Sequence, residues 1–392
     1  GALGARLFGA RVAFWVALSY VTTPLTTVGS LLISTDTVMA PAYATALWAW
    51  FRLADSGARR FAVLAGAAAG VAFMAKYAGV YFLMGAGLCA LFLPAMRIGW
   101  RNGGLLIATF AVVIAPNIVW NLTHGLATVH HTMGNIGLEG EDQGPQPPSI
   151  EELFDFVVAQ FGVYGPILFT AFLLACATAF RRGEGAGTRA ALVLFSLPIF
   201  LIICVEAYMS GAYANWAVAT YFAGTLLTVL FLLARAPRLL PLSVSVNVSL
   251  ALLLPVLAAL APWPDRNGRP LLHRYLGRAD LSRQVVDAAK TLGVGAVLAT
   301  DRDLLADLFY TGRASGLRFY AKRPTGRPAN YYEQTFPLSA DAGQVLYVLE
   351  SQPRCAGQPL APVVRFDTAG GTYSDQQIAG YLLPPGCADA VN

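Results

Sequence analysis

Apolar runs long enough to cross a lipid bilayer follow one another through the first two thirds of this chain. A helix needs about 20 mostly apolar residues to span the hydrocarbon core, and the sequence up to Pro262 contains about nine runs of roughly that length. Only 12% of the 392 residues are charged, against about 25% in soluble proteins. The pattern predicts a polytopic α-helical membrane protein. The predicted spans are residues 12–34, 38–54, 60–75, 78–95, 103–121, 158–180, 189–207, 215–234 and 239–261.

The composition changes after Pro262. The remaining residues are polar and mixed in charge, with short apolar segments, so we expect a transmembrane domain over 1–262 and a soluble domain over 263–392. Helical periodicity is found over 278–292 and 301–310. Strand-like segments are 294–299, 317–321, 344–349 and 363–366. Alternating helices and strands predict a small α/β domain.

Cysteine usage indicates two environments. Cys89, Cys176 and Cys204 lie in apolar runs, where cysteine usually acts as a small packing residue. Cys355 and Cys387 lie in the polar part of the chain, where they either pair as a disulfide or remain two free thiols. A disulfide would fit an oxidising compartment such as the periplasm.

The arginines indicate how the spans are oriented. They cluster in short gaps between predicted spans, and the clusters fall on one side if every run crosses the membrane. Positive loops mark the cytoplasmic side, so Asp36, Lys76, the loop 122–157 and the tail are predicted on the outer face. We therefore expect a multi-pass protein of a bacterial inner membrane with a periplasmic C-terminal domain. The net charge of +5 does not indicate nucleic-acid binding, because no basic stripe carries interleaved aromatic residues.

Lys76 is the only lysine before Lys290, and it lies within an apolar segment. A charge at the centre of a membrane helix costs about 2.5–3.5 kcal/mol, so a lysine there usually serves an anion. Tyr77 and Gly79 interrupt the run beside it, and helix breaks in membranes are tolerated where they line a polar cavity. The compact ammonium suits a phosphate group. The simpler alternative is a lysine that extends to the membrane interface.

Asp36 lies on the same predicted membrane face, in a Ser-Thr-Asp-Thr segment. It either caps the helix that follows or is a carboxylate that binds metal or substrate. Asn121 and His124 lie at the end of the fifth predicted span, and Asn215 and Trp216 lie at another outer turn. Aromatic side chains at such positions are expected as interface anchors. Together, however, these residues gather groups able to bind a sugar or a phosphate on one face.

Four segments carry a family resemblance. Residues 7–36 end at the Asp of a Ser-Thr-Asp-Thr segment (34–37), where the family has Thr-Pro-Asp. Residues 66–79 have Ala75 where the family has a serine before its lysine. Residues 116–125 read PNIVWNLTHG and residues 214–221 read ANWAVATY. In this order they resemble the GT-C class of membrane glycosyltransferases, in the family 39 group that includes protein O-mannosyltransferases and the aminoarabinose transferases acting on lipid A.

The resemblance implies a transferase that moves a hexosyl or pentosyl sugar from a polyprenyl-phosphate carrier to lipid A, another envelope glycan or a protein. Direct displacement at the anomeric carbon needs a carboxylate base and cations that stabilise the leaving phosphate. Asp36 would then be catalytic, near the donor phosphate or a divalent cation, with Mg²⁺ or Mn²⁺ as the candidate cofactor. The implied substrate-binding residues are Lys76, Tyr77, Asn121, His124, Asn215 and Trp216.

The resemblance also predicts what this sequence lacks. The family's catalytic acidic pair lies in the first outer loop, between the first two spans, and this sequence begins beyond the matching point. We expect an N-terminally truncated chain, with eleven spans in the full-length protein and the main general base in the missing loop. Glu141 and Asp142 do not replace that pair, since they lie in a glycine- and proline-rich stretch away from any span.

Two alternatives remain open at this point. A transporter or flippase of lipid-linked sugars would share the broken helices and the membrane charge. It should show two related halves, and the sequence has no internal repeat. A non-catalytic scaffold that presents its soluble tail to partners would make Asp36 and Lys76 dispensable.

Overall fold

The computed structural model describes residues 1–31, 34–135, 148–179, 185–260, 276–339, 342–355, 357–369, 371–384 and 387. The chain forms two compact units, Gly1–Leu254 and Pro255–Asn392. The predicted domain boundary after residue 262 lies outside the described residues, as do Glu141 and Asp142.

The first unit is helical. Its helices are α1 (Ala2–Phe8), α2 (Ala10–Val21), α3 (Pro24–Gly29), α4 (Thr35–Ser56), α5 (Arg59–Ala75), α6 (Tyr81–Phe92), α7 (Trp100–Thr123), α8 (Ala127–Asn135), α9 (Ile150–Val163), α10 (Pro166–Thr178), α11 (Ala186–Leu194), α12 (Leu197–Ser210), α13 (Thr220–Arg235) and α14 (Leu239–Leu260), which continues past the division between the units. Short 3₁₀ turns are Tyr77–Val80, Pro94–Met96 and Ala214–Ala219.

Four helical segments of the described chain are long and apolar enough to cross a membrane. The bent pair α9 and α10 adds a fifth if it counts as one span. The first segment is α7 (Trp100–Thr123), and the second joins α11 and α12 (Ala186–Ser210). The third joins the 3₁₀ turn and α13 (Ala214–Arg235), and the fourth is most of α14 (Leu239–Leu257). The chain is therefore a membrane protein with four to five such spans among the described residues, and the predicted number of nine is not confirmed.

The predicted span 158–180 is wrong as a single helix. Helix α9 ends at Val163, α10 begins at Pro166, and the two are bent by 113°. Gly165 between them has φ +97°, a conformation that disfavours other residues. Pro166 has no backbone N–H to donate to the preceding turn. Both residues end a helix that hydrophobicity alone would continue.

The predicted span 12–34 is also interrupted. Helix α2 ends at Val21, and α3 begins two residues beyond Thr22, at Pro24. The Thr23 side chain caps α3 by accepting a hydrogen bond from the Thr26 N–H. A threonine cap followed by proline at the first helical position is a helix-start signal, so this stretch consists of two short helices.

Two glycines allow α5 to approach α7 closely. A Cβ at Gly66 would overlap the backbone oxygen of Leu106, and a Cβ at Gly70 would lie 2.7 Å from the Cβ of Val113. Small residues four positions apart let membrane helices pack backbone against backbone. This packing holds the end of α5, which carries the candidate site.

The second unit is built on a five-stranded sheet in the order β2-β1-β3-β7-β6. Strands β1, β2 and β3 are parallel, and β7 is antiparallel to both β3 and β6. A separate hairpin joins β4 and β5. The elements are α15 (Arg278–Thr291), β1 (Ala296–Ala299), α16 (Arg302–Thr311), β2 (Arg318–Ala321), α17 (Tyr331–Thr335), β3 (Val345–Leu349), β4 (Arg354–Cys355), β5 (Gln358–Pro359), β6 (Val364–Arg365) and β7 (Ala379–Leu383).

Helices α15 and α16 cover one face of this sheet. Val285 and Leu305 pack in the same core cluster as Val297 of β1 and Val348 of the central strand β3. The sequence predicted both helices and the four strands β1, β2, β3 and β6 within two residues at each end. It missed β7, whose Ala-Gly start has little strand propensity and which is defined by its pairing with β3.

Cys355 and Cys387 are joined in a disulfide, with their Cα atoms 5.7 Å apart. That separation is within the usual range for a disulfide. The bridge ties β4 to the segment that follows β7. Of the two alternatives left open by the sequence, the structure has the paired form.

Candidate functional site

Asp36 lies in the first turn of α4, but it does not cap the helix. The Ser34 hydroxyl is the cap, accepting a hydrogen bond from the Asp36 N–H at 3.2 Å. The Asp36 carboxylate is therefore available for other partners. Its position is favourable, because a negative charge near a helix N-terminus is stabilised by the helix dipole.

Lys76 lies at the break between α5 and the next 3₁₀ turn. Helix α5 ends at Ala75, and Lys76 is extended, with φ −156° and ψ 132°. Gly79 packs directly on the backbone of the last turn of α5, and its N–H donates to the Lys76 carbonyl oxygen at 2.8 Å. The break is thus fixed by local packing. It places the ammonium at a helix C-terminus, where a cation is favoured.

Asp36 and Lys76 form an ion pair. The Lys76 Nζ lies 2.6 Å from Oδ1 of Asp36. The Lys76 side chain is only 22% exposed and the Asp36 side chain 12%, so the lysine does not extend freely into solvent. The ion pair joins the first turn of α4 to the residue that follows α5.

Asn215 completes this arrangement from a distant part of the sequence. It lies in the 3₁₀ turn before α13, and its Nδ2 donates to Oδ2 of Asp36 at 2.7 Å. Each carboxylate oxygen of Asp36 therefore accepts one hydrogen bond, from Lys76 and Asn215 respectively. We call these three residues the Asp36 cluster. Among the described residues, the Lys76 ammonium donates to Asp36 alone, which leaves two of its three donor positions for a ligand.

Tyr77 and Asn121 belong to a second hydrogen-bonded group beside the Asp36 cluster. The Tyr77 hydroxyl lies 2.8 Å from Oγ1 of Thr128 and 3.2 Å from Oδ1 of Asn117. The Thr128 hydroxyl donates to Oδ1 of Asn121. The Asn121 amide donates to the Asn117 carbonyl oxygen at 2.9 Å. Since Tyr77 follows Lys76 directly, this group anchors the helix break to the end of α7 and the start of α8.

His124 and Trp216 are placed differently. His124 is exposed, its ring is stacked on Trp120 at 4.3 Å, and its Nδ1 lies 2.8 Å from the Trp120 carbonyl oxygen. Trp216 contacts the ring of Tyr213 edge-on at 5.8 Å. Within the described residues, no hydrogen bond joins either side chain to Asp36 or Lys76. Their predicted roles in substrate binding stay predictions.

The surroundings of Asp36 do not fit a divalent cation. The described residues contain no group of three or more His, Cys, Asp or Glu side chains able to hold a metal ion. The partners of Asp36 are an ammonium and an amide N–H, and the ammonium would repel a metal at the same oxygen. Mg²⁺ or Mn²⁺ at Asp36 remains an untested prediction.

Two comparisons with known proteins identify the family. A family model described as dolichyl-phosphate-mannose-protein mannosyltransferase matches residues 2–120, a range that contains both Asp36 and Lys76. Lipid A galacturonosyltransferase RgtD of Rhizobium johnstonii is 35% identical over 390 residues, which cover 97% of this chain and 80% of that protein. This chain belongs to the GT-C membrane glycosyltransferases, in the family 39 group. No solved structure matches it. Membership favours a glycosyltransferase over the transporter and the scaffold.

Sequence reasoning overlooked two polar residues of this glycosyltransferase. Thr128 lies in α8, within the range predicted as the loop 122–157, and its sequence carries no signal that distinguishes it from neighbouring polar residues. Gln160 carried a usable signal, because it is a lone amide inside a predicted span and polar residues within membranes are often functional. The same argument singled out Lys76.

Proposed function

We propose that this glycosyltransferase moves a galacturonosyl residue from a polyprenyl-phosphate carrier to lipid A at the outer face of the inner membrane. The main support for this proposal is the geometry of the Asp36 cluster. It puts the isolated membrane lysine at a helix break, paired with a carboxylate that fixes its direction. The choice of sugar and acceptor is supported by the similarity to a lipid A galacturonosyltransferase.

The donor phosphate is expected to bind Lys76 and Asn215. A lysine ammonium is a compact charge that binds phosphate oxygens well, and its hydrogen bonds to anions are roughly twice as strong as those between neutral groups. Asp36 orients the Lys76 ammonium and the Asn215 amide, since each of its carboxylate oxygens accepts a hydrogen bond from one of these two groups. The cluster alone holds one negative and one positive charge, so an arriving phosphate does not meet an excess of negative charge.

The proposed chemistry is a direct displacement. The acceptor hydroxyl oxygen bonds to the anomeric carbon while the bond from that carbon to the phosphate oxygen breaks. The electron pair stays with the polyprenyl phosphate, and the hydroxyl proton goes to a base. Lys76 stabilises the charge that develops on the leaving phosphate. Asp36 serves here to hold Lys76 and Asn215, and its role as the base itself stays a prediction.

The outer-face location is supported by the distribution of charge along α4. This helix has 22 residues, so its ends are roughly 30 Å apart. Asp36 lies in the first turn, while Asp55 near the other end pairs with Arg6 at 2.8 Å. Arginine-rich ends usually face the cytoplasm, and this favours the outer face for the Asp36 cluster at the other end of α4. A disulfide between Cys355 and Cys387 suits a second unit in the periplasm.

The test is sugar transfer in native membranes. Lipid A is incubated with radiolabelled polyprenyl-phosphate galacturonic acid or with the matching nucleotide sugar. We expect label in lipid A from the lipid-linked donor alone, with loss of transfer in Lys76→Ala and Asn215→Ala. Asn102→Ala is the matched control, because this amide donates to the Gly57 carbonyl oxygen at the opposite end of α4. Transfer from the nucleotide sugar without the carrier, or normal transfer by Lys76→Ala, would overturn the proposal.

A further inference from the structure

Gln160 is a fully buried amide in α9 that contacts the turn carrying Asn215. Its Nε2 donates to the Phe156 carbonyl oxygen at 3.0 Å and to the Ala214 carbonyl oxygen at 3.2 Å. Its Oε1 accepts a hydrogen bond from the Tyr221 hydroxyl at 2.6 Å. Both amide hydrogens and the amide oxygen of Gln160 therefore have partners.

The orientation of this amide is determined by its partners. Two carbonyl oxygens require N–H donors, and the Tyr221 hydroxyl donates to the remaining oxygen. The flipped amide would place its oxygen against both carbonyl oxygens, with no hydrogen between them. Gln160 consequently holds one conformation, and it holds the Ala214 carbonyl in one conformation as well.

Tyr221 anchors the amide to α13. Its ring is stacked on the ring of Tyr164 at 4.0 Å, and the Tyr164 hydroxyl lies 3.0 Å from Oγ1 of Thr225. Thr225 donates in turn to the Tyr221 carbonyl oxygen at 2.7 Å. These side chains are all buried. In a medium of low dielectric, such a satisfied network is rigid, and removing one member leaves the others unpaired.

The Ala214 carbonyl belongs to the peptide bond that precedes Asn215. We infer that Gln160 is a positioning residue of the donor site, because it fixes that peptide bond and thereby sets the Asn215 amide against Asp36. The inference rests on the proposed function, in which Asn215 and Lys76 bind the donor phosphate. The path runs from Gln160 through Ala214 to Asn215, whose Nδ2 lies 2.7 Å from Asp36. Gln160 itself is fully buried, so it acts on the donor site through Asn215.

The experiment is a double-mutant cycle between Gln160→Leu and Asn215→Ala, with kcat/KM for the polyprenyl-phosphate sugar as the readout. Because a misplacement of about 1 Å can cost about 100-fold, we expect Gln160→Leu alone to lower kcat/KM by about 10- to 100-fold. In the Asn215→Ala background the same change should cost less than about twofold, since the group that it positions is already absent.

Two further variants keep the result interpretable. Tyr221→Phe removes only the hydroxyl that fixes Gln160 and retains the ring stack. It should lower kcat/KM about 3- to 20-fold, the range for single hydrogen bonds between membrane helices, and should replace Gln160→Leu in the cycle if that variant does not fold. Ser196→Ala is the structural control, because among the described residues this buried hydroxyl donates only to carbonyl oxygens at the end of α11, those of Leu192 and Val193. It should leave kcat/KM unchanged.

The outcomes separate this inference from the proposed function. Gln160→Leu, or Tyr221→Phe in its place, could lower kcat/KM by the same factor in the wild-type and the Asn215→Ala backgrounds. That result would overturn the positioning role and leave the proposed donor site intact. Wild-type kcat/KM in Asn215→Ala would remove the proposed donor site and this inference with it. A loss from the Gln160 or Tyr221 change that disappears in the Asn215→Ala background is the expected result.

Discussion

Replacing Gly79 with alanine should displace Lys76 from Asp36 and slow sugar transfer. The added Cβ would lie 2.6 Å from the carbonyl carbon of Ala72 and closer still to the Phe73 nitrogen, whereas ordinary contact begins at 3.4 Å. The 3₁₀ turn must therefore shift by about 1 Å, a displacement that can lower a rate about 100-fold when it occurs at a reacting group. Overpacking of this kind also costs about 1–3 kcal/mol of stability.

The shift reaches Lys76 directly, because the Gly79 N–H donates to the Lys76 carbonyl oxygen. Purified protein in detergent would be assayed for its thermal unfolding midpoint and its transfer rate. Gly87→Ala is the matched control, since nothing lies within 4 Å of its added Cβ. In a helix this change should stabilise by up to about 1 kcal/mol. If Gly79→Ala matched Gly87→Ala in both measurements, the packing argument for the helix break would be refuted.

Three further substitutions test the packing of each unit. Gly165→Ala should cost about 1–3 kcal/mol because φ is +97° there and the new Cβ would overlap Asn247; an unchanged unfolding midpoint would contradict this. Gly66→Val should separate α5 from α7, reduce the free energy of unfolding by about 1–3 kcal/mol through overpacking, and so lower the unfolding midpoint. Cys387→Ser should destabilise the second unit by about 2–4 kcal/mol in denaturant and make Cys355 reactive to maleimide, whereas a wild-type protein already reactive there would contradict the disulfide.

The three residues of the Asp36 cluster could each be singled out from the sequence as candidates, but the contacts among them could not be predicted. Lys76 was recognisable because an isolated charge in a membrane segment is costly. Asp36 and Asn215 were recognisable by their motifs. Their contact joins residues 179 positions apart, and it depends on how α4, α5 and the turn before α13 pack, which no local pattern encodes.

The errors in the predicted fold arise where hydrophobicity disagrees with backbone conformation or with strand pairing. Hydrophobicity predicted an unbroken span over 158–180, whereas a glycine with positive φ and a proline divide it. In the second unit, strands with continuous apolar residues such as Val345–Leu349 were predictable. Strand Ala379–Leu383 was not, because its formation is decided by pairing with a partner strand.

The most direct test of the central claim is the affinity of the polyprenyl-phosphate sugar for Lys76→Met. Hydrogen bonds to a charged group contribute about 1.5–3 kcal/mol, so we expect the dissociation constant to rise by about 10- to 150-fold. Because Lys76→Met leaves the Asp36 carboxylate without its cationic partner, the double variant Asp36→Asn with Lys76→Met removes both charges. It should bind the polyprenyl-phosphate sugar as weakly as Lys76→Met. Wild-type affinity in either variant would contradict the assignment of the Asp36 cluster as the donor-phosphate site.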